Sequence, residues 1–205
     1  HGLPLFSLES RRPLAEFDLI GITLPYELCY TNILTVLDLA GLPLRAADRA
    51  QALPLVIGGG PCAFHPEPVA EFFDAILLGD GEEAILDIAS VIEVAKRDGL
   101  GKEEILERLS EIAGVYVPAF FAPRYDEQGR FGGMVPRRPG CDRVRRPERI
   151  LLDLAQSQRL RSILRGPICT MQPRTVSPGA RSASTARATP PAATRAAVSR
   201  AEERP

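Results

Sequence analysis

Apolar positions along this chain alternate between two periods. Residues 18–24, Asp-Leu-Ile-Gly-Ile-Thr-Leu, form a short continuous apolar run, the pattern of a strand covered on both faces, and predict a central strand. From about residue 27 to residue 40 the spacing becomes helical: Ile33, Val36, Leu37 and Ala40 fall at i, i+3, i+4 and i+7 and make one stripe. Gly41 and then Pro43 end that helix. Residues 53–57 predict a second buried strand, 67–73 a short helix and 75–78 a third strand. A long helix follows, capped by Asp80 or Gly81 and running to about residue 97, with Ile85, Ile88, Ala89 and Ile92 sharing a face. A further helix over 102–113 carries Ile105, Leu109 and Ile112. Residues 115–117 predict a fourth strand, and residues 120–135 a hairpin turning at Asp126-Glu-Gln-Gly129 and marking the edge of the domain. Residues 4–17 read as a connector with one irregular helical turn.

Strands alternating with helices at these lengths imply parallel pairing through right-handed crossovers. The expected fold is therefore α/β: a flavodoxin-like or Rossmann-like open parallel sheet with flanking helices and an edge hairpin. In such a sheet ligands bind in the crevice beyond the carboxyl ends of the strands. Two segments end there in glycines and each feeds a helix: Leu55-Val-Ile-Gly-Gly-Gly-Pro-Cys62 and Asp74-Ala-Ile-Leu-Leu-Gly-Asp-Gly-Glu-Glu83. Glycine leaves the backbone bare and adopts angles that other residues avoid. The pattern points to a cofactor-binding face before it points to any reaction.

Composition divides the chain. All twelve aromatic residues lie at or before Phe131, so the later part lacks the largest core-forming side chains. Residues 1–134 hold 21 acidic and 10 basic side chains, whereas residues 135–205 hold 5 acidic and 15 basic. The net charge of −1 hides this split. From Arg165 onward only Ile168, Val176 and Val198 are Ile, Leu, Val or Phe, amid Ala, Arg, Pro, Ser and Thr. Such a segment buries too little apolar surface to offset its ordering entropy. The organisation expected is an α/β domain over 1–135, incomplete at its amino end, a partly helical linker over 136–164 and a disordered tail over 165–205. An Arg-rich tail has the charge to neutralise phosphates. It has no aromatic to stack a base and no periodic helix to enter a groove, so nucleic acid is not an expected partner. Out-of-frame translation of a GC-rich gene after about residue 140 would produce the same composition, and that origin is favoured.

No run reaches the roughly 20 apolar residues that a membrane-spanning helix needs, and no signal peptide is expected before the fold. A cytoplasmic location and no membrane partner are expected. Cys29, Cys62, Cys141 and Cys169 are far apart and form no C-x-x-C pair, which argues against a zinc knuckle or a local disulfide scaffold. Cys29 and Cys62 read as small buried hydrophobes.

In this order, G-I-T-L at 21–24, L-V-I-G-G-G-P-C at 55–62 and D-A-I-L-L-G-D-G-E-E at 74–83, the chain resembles the amino-terminal cobalamin-binding domain of radical S-adenosylmethionine proteins. Leu5-Phe-Ser-Leu-Glu-Ser10 and Tyr26-Glu-Leu-Cys-Tyr-Thr-Asn-Ile-Leu34 resemble a largely uncharacterised branch of that group. The likeness covers about residues 3–135. It implies that Thr23, with Leu24, takes the place of the family's strand-end Ser or Thr. Gly58, Gly59 and Gly60, with Pro61, would stand for its paired glycines, and Gly79, Gly81 and Glu82 for its G-x-G-E turn. The cofactor so implied is cobalamin, whose nucleotide tail slides beside a flavodoxin-like sheet. The family's metal-binding histidine belongs to a D-x-H-x-x-G loop that this sequence lacks, and His65, between Phe64 and Pro66, reads as a loop residue.

Each of these residues also has a structural reading. Thr23 can be a core or capping hydroxyl, the glycines can serve turn geometry, and Glu82, placed in the first turn of a helix, is stabilised by the macrodipole whatever its function. Glu82 and Glu83 are neighbours and do not converge as an acid-base pair. In the family a C-x-x-x-C-x-x-C loop of a following barrel binds the 4Fe-4S cluster that cleaves S-adenosylmethionine. Here Arg165-Gly-Pro-Ile-Cys169 offers one cysteine without partners at that spacing, and one cluster needs three thiolates of the loop. The expectation is a cobalamin-binding domain of a radical S-adenosylmethionine protein, truncated at both ends and not catalytic alone. Its partners would be cobalamin and the catalytic domain of the full-length protein. Two alternatives stay open: a flavodoxin-like scaffold or docking domain that binds no cofactor, and a nucleotide- or phosphate-binding enzyme using Gly58 to Gly60 as an anion cradle. The latter lacks both G-x-G-x-x-G and G-x-x-x-x-G-K-S/T.

Overall fold

A computed structural model describes residues 4–138 and 168–171. Its centre is a sheet in which β1 (Leu19–Thr23), β2 (Leu55–Gly59) and β3 (Ala75–Leu77) run parallel. The register pairs Thr23 with Gly59 and Gly59 with Leu77, which brings the strand ends level. Side chains alternate between two faces. Leu19, Leu55, Ile57, Ala75 and Leu77 face α2 (Ala84–Asp98) and α3 (Lys102–Ser110), meeting Ala84, Ile88, Ile92, Ile105 and Leu109 in one buried cluster. Ile20, Ile22, Leu24, Val56 and Ile76 face α1 (Tyr30–Leu39), packing with Ile33, Leu37 and Phe73 in the other. Both faces are covered, which is why the strands read as continuous apolar runs. Each buried Leu or Ile contributes about 1.5–3 kcal/mol relative to exposure.

The helical stripes lie where the spacing places them, but several boundaries move. A single 3-10 turn, Glu27–Cys29, precedes α1. The helix expected over 67–73 is only the 3-10 turn Ala70–Phe72, because so short a segment cannot offset helix nucleation and Pro68 biases Glu67 away from helical angles. α2 starts at Ala84, later than expected, and the residue flanking it is Glu83, which makes no side-chain cap bond, while the Gly81 carbonyl accepts from Ile85 N–H at 2.9 Å. Glu82 thus precedes the helix and is not in its first turn. α3 stops at Ser110.

One pairing differs in kind. β4 (Val115–Tyr116) lies beside β3 antiparallel, with Ile76 opposite Tyr116 and Leu77 opposite Val115, where parallel pairing was expected. Two helices, joined through Gly99-Leu-Gly101, separate β3 from β4. α2 carries the chain back along the sheet and α3 returns it, so β4 starts at the carboxyl end of β3 and runs the other way. Gly99, at φ +67°, makes the reversal between the helices. β5 (Phe121–Tyr125) and β6 (Phe131–Pro136) form the expected hairpin as a separate two-stranded sheet. Asp126 Oδ1 fixes its turn, accepting from Gln128 N–H at 3.0 Å and Arg130 N–H at 2.8 Å.

The order of the main sheet is β4-β3-β2-β1-β7. β7 (Ile168–Met171) runs parallel to β1 with Leu19 opposite Ile168. It corrects the expectation of disorder at these four residues: they pair with the backbone edge of β1, and the pairing makes β1 an interior strand. The rest of the expected tail, and the expected linker from residue 139 on, lie outside the described residues, with Cys141. Every described residue belongs to one unit, His1–Thr175. Among the described residues no helix is long and apolar enough to cross a membrane.

Beneath the first residue of β3 lies a buried ion cluster. Asp74, 2% exposed, accepts from Arg49 Nη2 at 3.1 Å and from Val56 N–H at 2.8 Å through Oδ2, and Lys102 Nζ lies 2.8 Å from Oδ1. Arg49 also donates to the carbonyls of Pro43, Leu44 and Phe72, and Lys102 to those of Ala46 and Arg49. One carboxylate therefore ties the loop before β2, the start of β3 and the start of α3.

Tyr116 donates its hydroxyl to Glu67 Oε1 at 2.8 Å. Burial, and then this carboxylate, hold its phenol protonated well above the ordinary value of 10.0. The folded chain keeps a proton that the unfolded chain releases, so this contribution to stability is complete below about pH 10 and falls as pH rises beyond it. Phenolate absorbance on alkaline titration should show a final step well above the ordinary tyrosine value, belonging to Tyr116. Tyr116→Phe should abolish that final step, and its persistence in the variant would refute the assignment.

Candidate functional site

At the carboxyl ends of β1, β2 and β3 the sheet opens into a crevice of about 570 Å³. Thr23, Gly58, Gly59 and Gly60 line it from two strand ends, and Gly79, Gly81 and Glu82 from the loop that leads into α2. The two glycine segments therefore converge. The crevice lies on the α2 face: Gly21, Thr23 and Gly59 occupy positions where the alternation would otherwise place larger side chains against α2, so a gap opens below Ile85 and Ile88.

The three consecutive glycines have three different reasons. A Cβ on Gly58 would point to the opposite face, 3.2 Å from two atoms of the Phe73 ring and 3.3 Å from Leu24 Cδ1. Gly58 is small because Phe73 packs on it. A Cβ on Gly59 would meet nothing closer than 3.9 Å, so its missing side chain leaves open space and bare backbone in the floor of the crevice. Gly60, at φ +105° and ψ −171°, holds a conformation essentially confined to glycine. A Cβ there would sit 3.1 Å from Thr23 Cγ2 and 3.3 Å from the Leu24 carbonyl. In the other segment Gly79 has φ +98°, whereas Gly81 could carry a Cβ in ordinary contact, 3.6 Å from Leu77.

Leu24 and Pro61 do not line the crevice. Leu24 is fully buried under α1, and its backbone ties the strand ends together, taking Gly59 O at 2.7 Å and giving its carbonyl to Cys62 N–H at 2.9 Å. Pro61, itself exposed, opens the 3-10 turn Pro61–Phe64. His65 is exposed just after that turn and outside the crevice, so it presents no cobalt ligand there. Cys29 is buried and Cys62 half-buried, both as free thiols. Among the described residues no three His, Cys, Asp or Glu side chains are grouped to hold a metal ion. Sequence reasoning missed Gly21, Asp80 and the apolar wall of Ile57, Leu77, Ile85 and Ile88. Gly21 carried a local signal: it interrupts an apolar strand on the same face as Thr23.

A larger cavity, about 750 Å³, lies near the ion cluster and the hairpin. Its buried charged groups, Arg49 and Asp74, are already engaged with one another and with backbone, which makes it a structural gap more than a chemical site.

An open α/β sheet with helices on both faces and a crevice at its strand ends belongs to the doubly wound class, whose ligands, where present, sit at that edge. The family described as radical SAM proteins, N-terminal, matches residues 1–118, a span containing all the crevice residues, and the chain belongs to that family. No curated protein and no solved structure matches it.

Proposed function

We propose that this chain is a cobalamin-binding region of a radical S-adenosylmethionine protein, with the crevice at the carboxyl ends of β1–β3 receiving the cofactor's nucleotide tail. The observation that carries the reading is the convergence of Gly59, Gly60, Gly79 and Gly81 on one crevice whose floor is bare backbone at Gly59. A planar base and its ribose need such a slot, with apolar walls and polar backbone at close range. Ile57, Leu77, Ile85 and Ile88 supply the walls, and Thr23 supplies a hydroxyl at one edge. Beyond the same strand ends, Tyr26, Leu28 and Phe64 expose apolar surface on the loops after β1 and β2, suited to the face of a corrin ring. When bound, cobalamin would supply a cobalt centre for one-electron or group-carrying chemistry. This chain's contribution is to bind and orient it.

The chain does not carry the radical chemistry. Its four cysteines offer no C-x-x-x-C-x-x-C loop, so the 4Fe-4S cluster and S-adenosylmethionine belong to the catalytic domain of a full-length family member. A nucleotide- or phosphate-binding enzyme is disfavoured, since the charged residues lining the crevice, Asp80 and Glu82, are acidic.

Hydroxocobalamin mixed with the 205-residue chain and passed through a desalting column should elute with the protein, its visible spectrum altered. Elution of colourless, folded protein would sink the proposal and leave the scaffold reading. Retention of ATP instead would favour the nucleotide-binding enzyme.

A further inference from the structure

The crevice has a polarity of its own. Ile57, Leu77 and Ile88 are buried in its wall, whereas Glu82 is half-buried and Asp80 exposed, so hydrocarbon lies inside and carboxylate at the mouth. Among the described residues no Lys, Arg or His lines it. The amino terminus of a 15-residue helix, α2, opens beside it, an arrangement that ordinarily attracts anions. Here the residues just before that helix, Asp80, Glu82 and Glu83, present carboxylates at the same end. An ionised carboxylate accepts hydrogen bonds and donates none. Half-buried, it is less screened than a surface charge and repels a second anion within several ångströms.

We infer that Glu82 sets the selectivity of the crevice: it admits a ligand segment that offers hydroxyl or amide donors and turns away a phosphate. Naming the ligand segment as the tail of cobalamin rests on the reading proposed above. On that reading the base and ribose enter, a ribose hydroxyl donates to Glu82, and the tail's phosphodiester stays outside at the solvent edge. The charge argument itself concerns only this chain's residues and applies to any nucleoside-like ligand.

The test uses two probes that differ by one phosphate group, the benzimidazole ribonucleoside of the cobalamin tail and its phosphate monoester. Each is titrated calorimetrically into the 205-residue chain as wild type, Glu82→Gln and Glu82→Lys. The wild type should favour the nucleoside by about tenfold or more, the size expected of one partly screened repulsion. The preference should shrink toward unity in Glu82→Gln and invert in Glu82→Lys. Glu82 lies in a turn before α2, and thermal melts of the three proteins confirm that the variants fold. The inference is overturned if the phosphate binds the wild type as well as the nucleoside does, if the ratio is the same in all three proteins, or if the nucleoside does not bind at all. A ratio that follows residue 82 while hydroxocobalamin is not retained would leave this selectivity standing and remove the cobalamin reading. Retained hydroxocobalamin with an unmoved ratio would do the reverse.

Discussion

Replacing Asp74 with alanine is expected to lower the stability of this domain by about 3–5 kcal/mol, the loss typical of removing one partner from a buried ion pair. The variant leaves Arg49, 5% exposed, and the Lys102 ammonium without a countercharge, and leaves Val56 N–H without its acceptor. Natural domains of this size have about 5–15 kcal/mol in total, so the variant should be partly unfolded or unfold early in urea. Asp74→Asn keeps an acceptor for Val56 but no charge, and should fall between alanine and wild type. Asp98→Asn is the control: its pair with Arg97 is short, 2.8 Å, but fully at the surface, where salt and water screen it, and the urea midpoint should not move. If Asp74→Ala and Asp98→Asn shift the midpoint alike, the cluster is solvated and the argument from burial fails.

Alanine at each of the three consecutive glycines should give three different outcomes. Gly58→Ala forces the Phe73 ring to move and should cost about 1–3 kcal/mol, the usual penalty for overpacking a filled core. Gly60→Ala imposes a glycine-only backbone on a residue with a Cβ and should cost about 1–3 kcal/mol from strain. Its contacts with Thr23 and the Leu24 carbonyl add to that. Gly59→Ala meets no neighbour within 3.8 Å, since its nearest atoms are at 3.9 Å, and should leave stability within about 0.5 kcal/mol of wild type. Its methyl group nevertheless enters the floor of the crevice. Retention of hydroxocobalamin should therefore weaken by about tenfold or more in Gly59→Ala, the loss of about 1.4 kcal/mol of close contact. Urea midpoints and cobalamin retention measured on all three variants separate the roles. A Gly59→Ala protein that binds as wild type would show that no ligand approaches that backbone.

The sequence was legible where a single element decides the answer. The stripes of α1 and α2 and the three parallel strands follow from spacing alone, because a helix or strand that must bury one face repeats its apolar residues at its own period. Ile33, Leu37, Ile88 and Ile92 are buried as their spacing requires. The hairpin turn at Asp126 to Gly129 was equally local, since its bonds run within four residues. That the chain comes from a radical S-adenosylmethionine protein was also readable in ordered motifs, and the amino-terminal family of those proteins matches residues 1–118. What failed depended on partners distant in the chain. Asp74 immediately precedes a buried strand, a cue that a charge was being compensated, yet nothing nearby names Arg49, 25 residues away, or Lys102 as its partners.

What the amino-acid sequence determined by itself is the set of elements, the α/β class and the glycine-rich strand ends, because each rests on local period, turn chemistry and backbone freedom. Tertiary structure alone decided that β4 runs antiparallel, that Ile168–Met171 completes the far edge of the sheet, and that Gly58, Gly59 and Gly60 serve packing, opening and turning in succession. Those outcomes depend on where a helix pair returns the chain, which backbone edge is left open and which side chain lies across the sheet. Such facts exist only once the elements are packed against one another.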